Sequence, residues 1–504
     1  DTLGDLQTLR QQSSDLIRNE ALAAGAISVP VLGVVGPGIV PQSRIDADYL
    51  KLTPEAASKF ERDAERIFNF VANRQDFDIS GRLNFWQAQR LVYRSAKERG
   101  DIGVMRRFVE RPGRVMAVST QMIEADRIDT PGDKSMDDSI RAGVKFDGIG
   151  AVAGYWVQQN HPGESMTGSL SSRDFTYIPA YDQRGEPLML HVATMLRPGQ
   201  TRGVPFLAPV VELFKQVGRY TEAEVSAAVT SAMLAIFVTS GAPVSPLTGN
   251  AIPGMVGGQQ IVPKGNTLTK LQSGMIVDLA PGEDIKVATA TRPNTAFEPF
   301  CDALLSYAGS ALGIPRDVLT KRYNSSYSAA RAALQDAWRM YLVERDDLNA
   351  QFNQPVWNWI IDEAVARGML SAPGYFEDPM KRAAYLGTQW IGPGMQSLDP
   401  LKDANASTVW HALGVKSKQQ ISAEQGDDFD RTVKQRQKEK KAEDDAGLTP
   451  PEIDATGQGA PTPGVQSKKK DGAQAMGDLI NELVATDDIS AAAADQLLNI
   501  LEAA

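Results

Sequence analysis

Residues 315–328 read PRDVLTKRYNSSYS, a polar break between a helical stretch at 295–312 and a far longer one at 328–367. Both flanks carry apolar residues at three- and four-residue spacing, the period of a helix that buries one face. The break is short and yet holds Arg316, Lys321, Arg322, Tyr323, Asn324, Ser325 and Ser326. No catalytic motif lies near it. A short segment of small, cationic and aromatic residues between two helices predicts a loop presented into a groove or channel, acting by position and not by chemistry. At 1.5 Å per residue the second helix reaches roughly 60 Å if unbroken, and Pro355 predicts a bend in it.

On the N-terminal side of the break, residues 241–293 hold eight glycines and little helical signal. MIVDLA and IKVATA read as strands there, so a small β module is inserted between the helix at 295–312 and an Ala-rich helical region at 205–237. That region is expected to break near 217–220, with Thr221 and Glu224 as a capping box. Earlier still, 6–26, 54–73 and 84–98 read as helices, the last with Trp86, Leu91 and Val92 inward. A Gly/Pro turn at 33–42 lacks the Gly-Lys-Ser/Thr ending of a phosphate loop. Between 103 and 202, five β-like runs alternate with Gly/Pro/Asp turns, which predicts an antiparallel sheet and an α+β unit. After the long helix, 380–441 is helical in pattern. Residues 448–474 have the composition of a disordered linker, and 476–485 and 489–501 are short amphipathic helices in pattern.

The 504 residues suggest two to four domains. A net charge of −10 argues against a large basic face that grips nucleic acid. One cysteine, Cys301, excludes a disulfide framework and a cysteine-built zinc site, and its neighbours predict a buried core thiol. Three histidines spread over 250 residues give no metal spacing. No apolar run reaches the ~20 residues that span a bilayer, and a chain opening on Asp1 is expected to be a trimmed or partial N-terminus. Acidic pairs at 283–284 and 344–347 read as solvated surface. The run from Arg197 to Gly203 (RPGQTRG) either binds a phosphate or uses its arginines to fix a turn.

Five segments, in order, resemble the lambda-type portal proteins of tailed phages. SSDLIRNEALAAGAI (13–27) with VVGPGIVPQS (34–43) is similar to the family's N-terminal helix and glycine turn. FDISGRLNFWQAQRLVYRSAKERGDIGV (77–104) resembles the helix and first strand of its wing. HVATMLRPGQTRGVPFLAPVVELF (191–214) is the most specific match. YNSSYSAARAAL (323–334) resembles an Asn-Tyr-Ser-Ser-x-Arg run, in whose register Ser326 stands for the Asn and Ala329 for the second Ser. IGPGMQSLDPLKDANA (391–406) resembles an Asp-Pro-x-Lys segment.

The resemblance implies an α+β chain with the phage portal fold. Its parts would be a wing at 1–217, a first stem helix at 218–240, a β-rich clip at 241–293 and a second stem helix at 294–313. A tunnel loop at 314–328 would follow, then a long helix returning to the wing at 329–379, a helical crown at 380–445, and a linker with tail helices at 446–504. It implies a dodecameric ring at one capsid vertex, in the virion and, during assembly, in the host cytoplasm. Double-stranded DNA would pass through without its sequence being read. The partners would be the terminase large subunit, then a head-tail adaptor, with the major capsid protein and scaffold around the ring. No enzyme activity, cofactor, metal or membrane is implied. The alternatives are another phage head or neck component, which would not need the helix–clip–helix insertion, and a nuclease or capsid protease, which would need clustered carboxylates or a Ser/His/Lys constellation.

Overall fold

In the computed structural model, residues 3–163, 174–232, 236–240, 283–287, 294–323, 326–395 and 399–447 are described. The chain divides into two compact units, a large one of Asp1–Leu398 with Lys416–Phe429 and a small one of Asp399–Val415 with the chain from Asp430.

The large unit is α+β. Its first helical stretch is two helices, Leu6–Asn19 and Ala21–Val34, bent by 98° where Glu20 takes an extended backbone. The expected single helix at 6–26 is thus corrected, as is its end, because the second helix runs on to Val34 before the glycine turn. Pro54–Ala72 begins at a Thr53 cap with Pro54 in the first turn. Phe85–Arg99 begins at an Asn84–Gln87 capping box and ends at Gly100. On that helix Val92 is buried as expected, Trp86 is half-buried, and Leu91 lies 39% exposed, its inward place taken by Gln89 and Tyr93.

The β region is two antiparallel sheets. Strand Asp101–Phe108 lies between Val118–Glu124 and Met189–Ala193. The second sheet orders Ile140–Arg141, Val144–Phe146, Val152–Gln158 and Phe175–Pro179 consecutively. Against the first sheet runs the long helical element, Tyr327–Leu348, a π-helical segment Asn349–Asn353, and Gln354–Ala366. Pro355 has no N–H to give to the turn behind it, and the π-helical segment ends two residues before it. Trp357 and Phe352 of this element pack with Phe68 of Pro54–Ala72 and Phe85 of Phe85–Arg99, Phe68–Phe85 edge-on at 5.0 Å. Where the helix ends, Glu363 accepts from the Ala117 and Val118 N–H groups at 2.7 Å each, tying it to a strand start.

Helix Val211–Ala232 is continuous, with no break at 217–220. Gly218 lies inside it beside the tip of the Glu20 side chain, 2.6 Å from where a Cβ would stand. Thr221 is not a cap, since its hydroxyl donates to the Val217 carbonyl one turn back. Residues 236–240, expected to be helical, form a strand paired with Glu283–Val287, in keeping with the β-branched run IFVTS. The strand expected at 275–280 and the rest of the β module lie outside the described residues, as do both tail helices.

The region expected to be a separate helical crown from 380 starts inside the large unit. Thr388–Ile391 is a strand, paired antiparallel with Val40–Ser43. Helix Pro54–Ala72 caps that strand, with Glu65 accepting from Ser43 N–H and Glu61 from Ile45 N–H. Burial pushes the Glu65 carboxyl up to about 7, against the lowering effect of the Ser43 N–H, with the Asp428 charge adding to the rise. A folded pKa above the unfolded value favours folding below about 4.3 and loses that contribution as pH rises through about 7. Glu65→Gln keeps the acceptor and removes the titration. Thermal melts should therefore show the variant more stable than the parent at pH 8 and no more stable at pH 4.5.

Candidate functional site

Residues 313–326 join the chain's two central helices. Helix Phe297–Leu312 stops at Gly313, which takes the left-handed conformation (φ 67°) that a side chain disfavours. Residues expected to be an open loop then form a short helix, Arg316–Thr320, and its Val318 and Leu319 are buried. The presented part is therefore shorter than the 314–328 read from sequence. Lys321 closes the short helix at φ 55°, again left-handed. Lys321, Arg322 and Tyr323 are exposed. Asn324 and Ser325 lie outside the described residues. Ser326 is exposed and caps Tyr327–Leu348 by accepting from Ala329 N–H.

The cations here are unequal. Arg316 is half-buried and bound to Asp302 at 3.0 Å and Asp317 at 2.8 Å. Arg322 faces Glu298 at 2.7 Å, both more than half exposed, a pair worth at most about 1 kcal/mol. Beside them lies a cavity of about 460 Å³ lined by Leu22, Phe297, Cys301, Leu305, Thr320 and Arg322. Cys301 was expected to be buried and is half-buried at its wall, its thiol pKa raised by burial and by Asp302. The turn is joined to helix Val211–Ala232 by Tyr220, stacked on Phe297 at 5.5 Å and edge-on to Phe300 at 4.8 Å.

The second cluster explains the 191–214 run. Asp101, fully buried at the start of the central strand, receives Arg202 Nε at 2.6 Å and Nη2 at 2.9 Å, Arg10 Nη2 at 2.8 Å, and the Gly203 N–H at 3.1 Å. His191 Nε2 stands 3.1 Å away. The remaining Arg202 donors go to the carbonyls of Ala125, Ile128 and Ala142. All five guanidinium hydrogens are thus directed at protein acceptors. This decides between the two readings of RPGQTRG in favour of fixing a turn, at least for Arg202. Gly203 is required here, because a Cβ would meet the Gly100 carbonyl. Arg10 had no sequence signal, lying 91 residues from its partner.

Burial alone would raise the Asp101 pKa, but the Arg202 charge and the hydrogen bonds from His191 and Arg202 outweigh it and hold the carboxyl well below the usual range. Burial brings Arg10 down to about 10, against the pull of Asp101. Among the described residues, no group of three or more His, Cys, Asp and Glu could hold a metal, and no single helix is long and apolar enough to cross a membrane. Neither cluster pairs a nucleophile with a base, so what they offer is a fixed frame and a presented turn.

Comparison with known proteins gives the family directly. Residues 1–345 match the family described as phage portal protein, lambda family. The portal protein of Escherichia phage N15 is 25% identical over 485 residues, covering 92% of this chain and 89% of that protein. Portal protein B of Escherichia phage lambda is 25% identical over 461 residues, covering 87% and 84%. Of solved structures, a chain in the virion of a native gene transfer agent particle aligns with TM-score 0.44 at 11% identity, over 84% of this chain and 93% of that one. A chain from the neck of an empty gene transfer agent particle aligns with TM-score 0.43 at 13% identity, again over 84% and 93%.

Replacing Asp101 by Asn would leave two buried guanidinium groups facing a neutral amide. The loss should be about 3–5 kcal/mol at pH 7 by denaturant titration. Because the folded pKa is depressed, the carboxylate's contribution is complete above about pH 3.9 and is lost as pH falls toward the folded value. The gap between parent and Asp101→Asn should therefore close on the acid side only.

Proposed function

The chain belongs to the lambda family of phage portal proteins, a structural head-tail connector serving DNA packaging and not an enzyme, and from that premise we propose that residues 321–326 form the constriction of a DNA channel. The channel is the bore of a dodecameric ring at one capsid vertex. Terminase docks on the ring during packaging and an adaptor replaces it afterwards, both at the β module of 241–293. The major capsid protein and scaffold surround the ring, and double-stranded DNA passes without its sequence being read.

The observation that carries the channel reading is Lys321. A left-handed backbone costs a non-glycine residue about 1–2 kcal/mol, and glycine is the usual residue at such a helix end. A lysine there, exposed and next to exposed Tyr323, fits a position used for its side chain. Arg322 has its charge opposed by Glu298, so Lys321 supplies most of the local positive charge. Repeated around a ring, one lysine per subunit becomes a band that attracts phosphates weakly at every rotational setting. The acidic remainder of the chain keeps DNA from adhering elsewhere, and DNA slides.

Lys321→Ala should therefore alter DNA packaging or retention more than Arg322→Ala, with assembly unaffected in both and in the double variant. In vivo packaging yield and negative-stain images of the purified proteins check this. Loss of assembly in the double variant would contradict the channel assignment. Lys321→Gly separates the two roles of the position. It should leave stability unchanged or raise it by up to about 1 kcal/mol and still reduce retention. Full retention by the glycine variant would overturn the assignment.

A further inference from the structure

The segment Lys416–Phe429 belongs to the large unit, and its ends continue at Val415 and Asp430 into the two parts of the small one. It is held on shallowly. Its helix Lys418–Glu424, started by a Ser417–Gln420 capping box, buries no residue fully. Ile421, Ser422, Ala423, Asp428 and Phe429 are half-buried. Two glycines allow the backbones to meet: a Cβ on Gly394 would stand 2.4 Å from the Gln425 carbonyl carbon, and one on left-handed Gly426 would stand 2.7 Å from the Gly394 nitrogen. An element with few buried apolar contacts sits at the low end of local stability, where a single charge beside it weighs heavily.

That charge is at Glu65. Helix Pro54–Ala72 lays two carboxylates along strand Val40–Ser43 and its continuation, Glu65 on the Ser43 N–H at 2.9 Å and Glu61 on the Ile45 N–H at 3.2 Å. The charged groups that face Glu65 are Asp428 from the docked segment, Arg44 just past the strand, and Glu61 one turn back on its own helix. Arg44 is shared. It donates to Gln42 Oε1 at 2.7 Å and, through Nε, to the Gln419 side-chain oxygen at 3.1 Å. Ionised Glu65 therefore adds a third carboxylate to a place served by one guanidinium, where part of the water is already excluded. Burial first, against the Ser43 N–H, and then the Asp428 charge hold its carboxyl up at about 7, so it changes charge in the neutral range.

We infer that Glu65 and Asp428 make a proton-controlled latch, in which Lys416–Phe429 stays on the large unit while Glu65 is neutral and lets go when it ionises. Letting go takes Asp428 away from Glu65 and opens the carboxylate to water, so the charged form is better tolerated undocked than docked. Attachment is therefore complete well below pH 7 and weakens as pH rises through about 7. Ionised Glu65 is also the stronger acceptor for the Ser43 N–H. The strand thus keeps its hold on the helix while the segment loses its own.

Hydrogen exchange on the assembled full-length protein, compared between parent and variants at the same pH, tests this. At about pH 6, amides of 418–425 should exchange alike in the parent and in Glu65→Gln, which keeps the acceptor and cannot ionise. At about pH 8.5 they should exchange roughly tenfold faster in the parent, with amides of 40–45 and 57–71 unchanged. Asp428→Asn, which leaves the helix and strand as they are, should remove most of that acceleration. Equal exchange of 418–425 in parent and Glu65→Gln at the higher pH would overturn the inference, as would an acceleration undiminished in Asp428→Asn. So would acceleration spread evenly over 40–45 and 57–71, which would mean loss of the surrounding fold and not release of the segment.

Discussion

Asp101 has no exposed surface, and its carboxylate is held by two arginines and a histidine drawn from three separate parts of the chain. Taking that carboxylate and those guanidinium groups out of water costs several kcal/mol each, which is recovered only if every donor and acceptor finds a partner. Here they do. Arg10 fastens the first helix to the central strand, His191 fastens the neighbouring strand, and Arg202 fastens the segment leading into helix Val211–Ala232. Arg202 also reaches Ile128 and Ala142, beside the second sheet. With Gly203 against Gly100, the chain has one path from the sheet into the helix. The direction of Val211–Ala232, and with it the placing of Tyr220 against Phe297 and Phe300, follows from that path.

The long helical element is the second constraint. Arg345, from its middle, donates to the carbonyls of Gly33, Val34 and Pro393, closing the glycine turn onto the helix. Gly33 lets the Tyr341 ring lie against the backbone. Gln89, fully buried, bonds both the N–H and the carbonyl of Ile39 and the Asn353 side chain in the π-helical segment. A helix held at both its middle and its π-helical segment keeps its N-terminal end, Ser326 and Tyr327, in a set position. The exposed turn at 321–323 is therefore mounted on a rigid frame, as a constriction must be if it is to act by position.

Much of this was legible in the sequence, and the exceptions have physical causes. The helices on either side of the inserted segment and the long helix were readable because three- and four-residue spacing is strong over 16 or more residues. The 191–214 run stood out as a motif, but its reason did not, because Arg202 acts on a carboxylate 101 residues away. The break expected near 217–220 is absent, because the helix runs unbroken from Val211 to Ala232. The strand at 388–391 is four residues long and pairs with residues some 350 positions earlier, so no local period announced it. Val318 and Leu319 were read as part of a polar break because two adjacent apolar residues carry no period. Of the seven residues expected to act in the break, the five that are described are of different kinds. Arg316 is engaged by two carboxylates and Arg322 by one, Ser326 is a helix cap, and Lys321 and Tyr323 are the presented side chains.

The central claim is that the turn at 321–323 faces the axis of a closed ring of these chains. A density map of the purified assembled protein measures this directly. The account predicts a twelve-membered ring in which Lys321 and Tyr323 lie at the narrowest radius of the bore. A stable monomer under all conditions, or a ring with these residues on its outer wall, would contradict it.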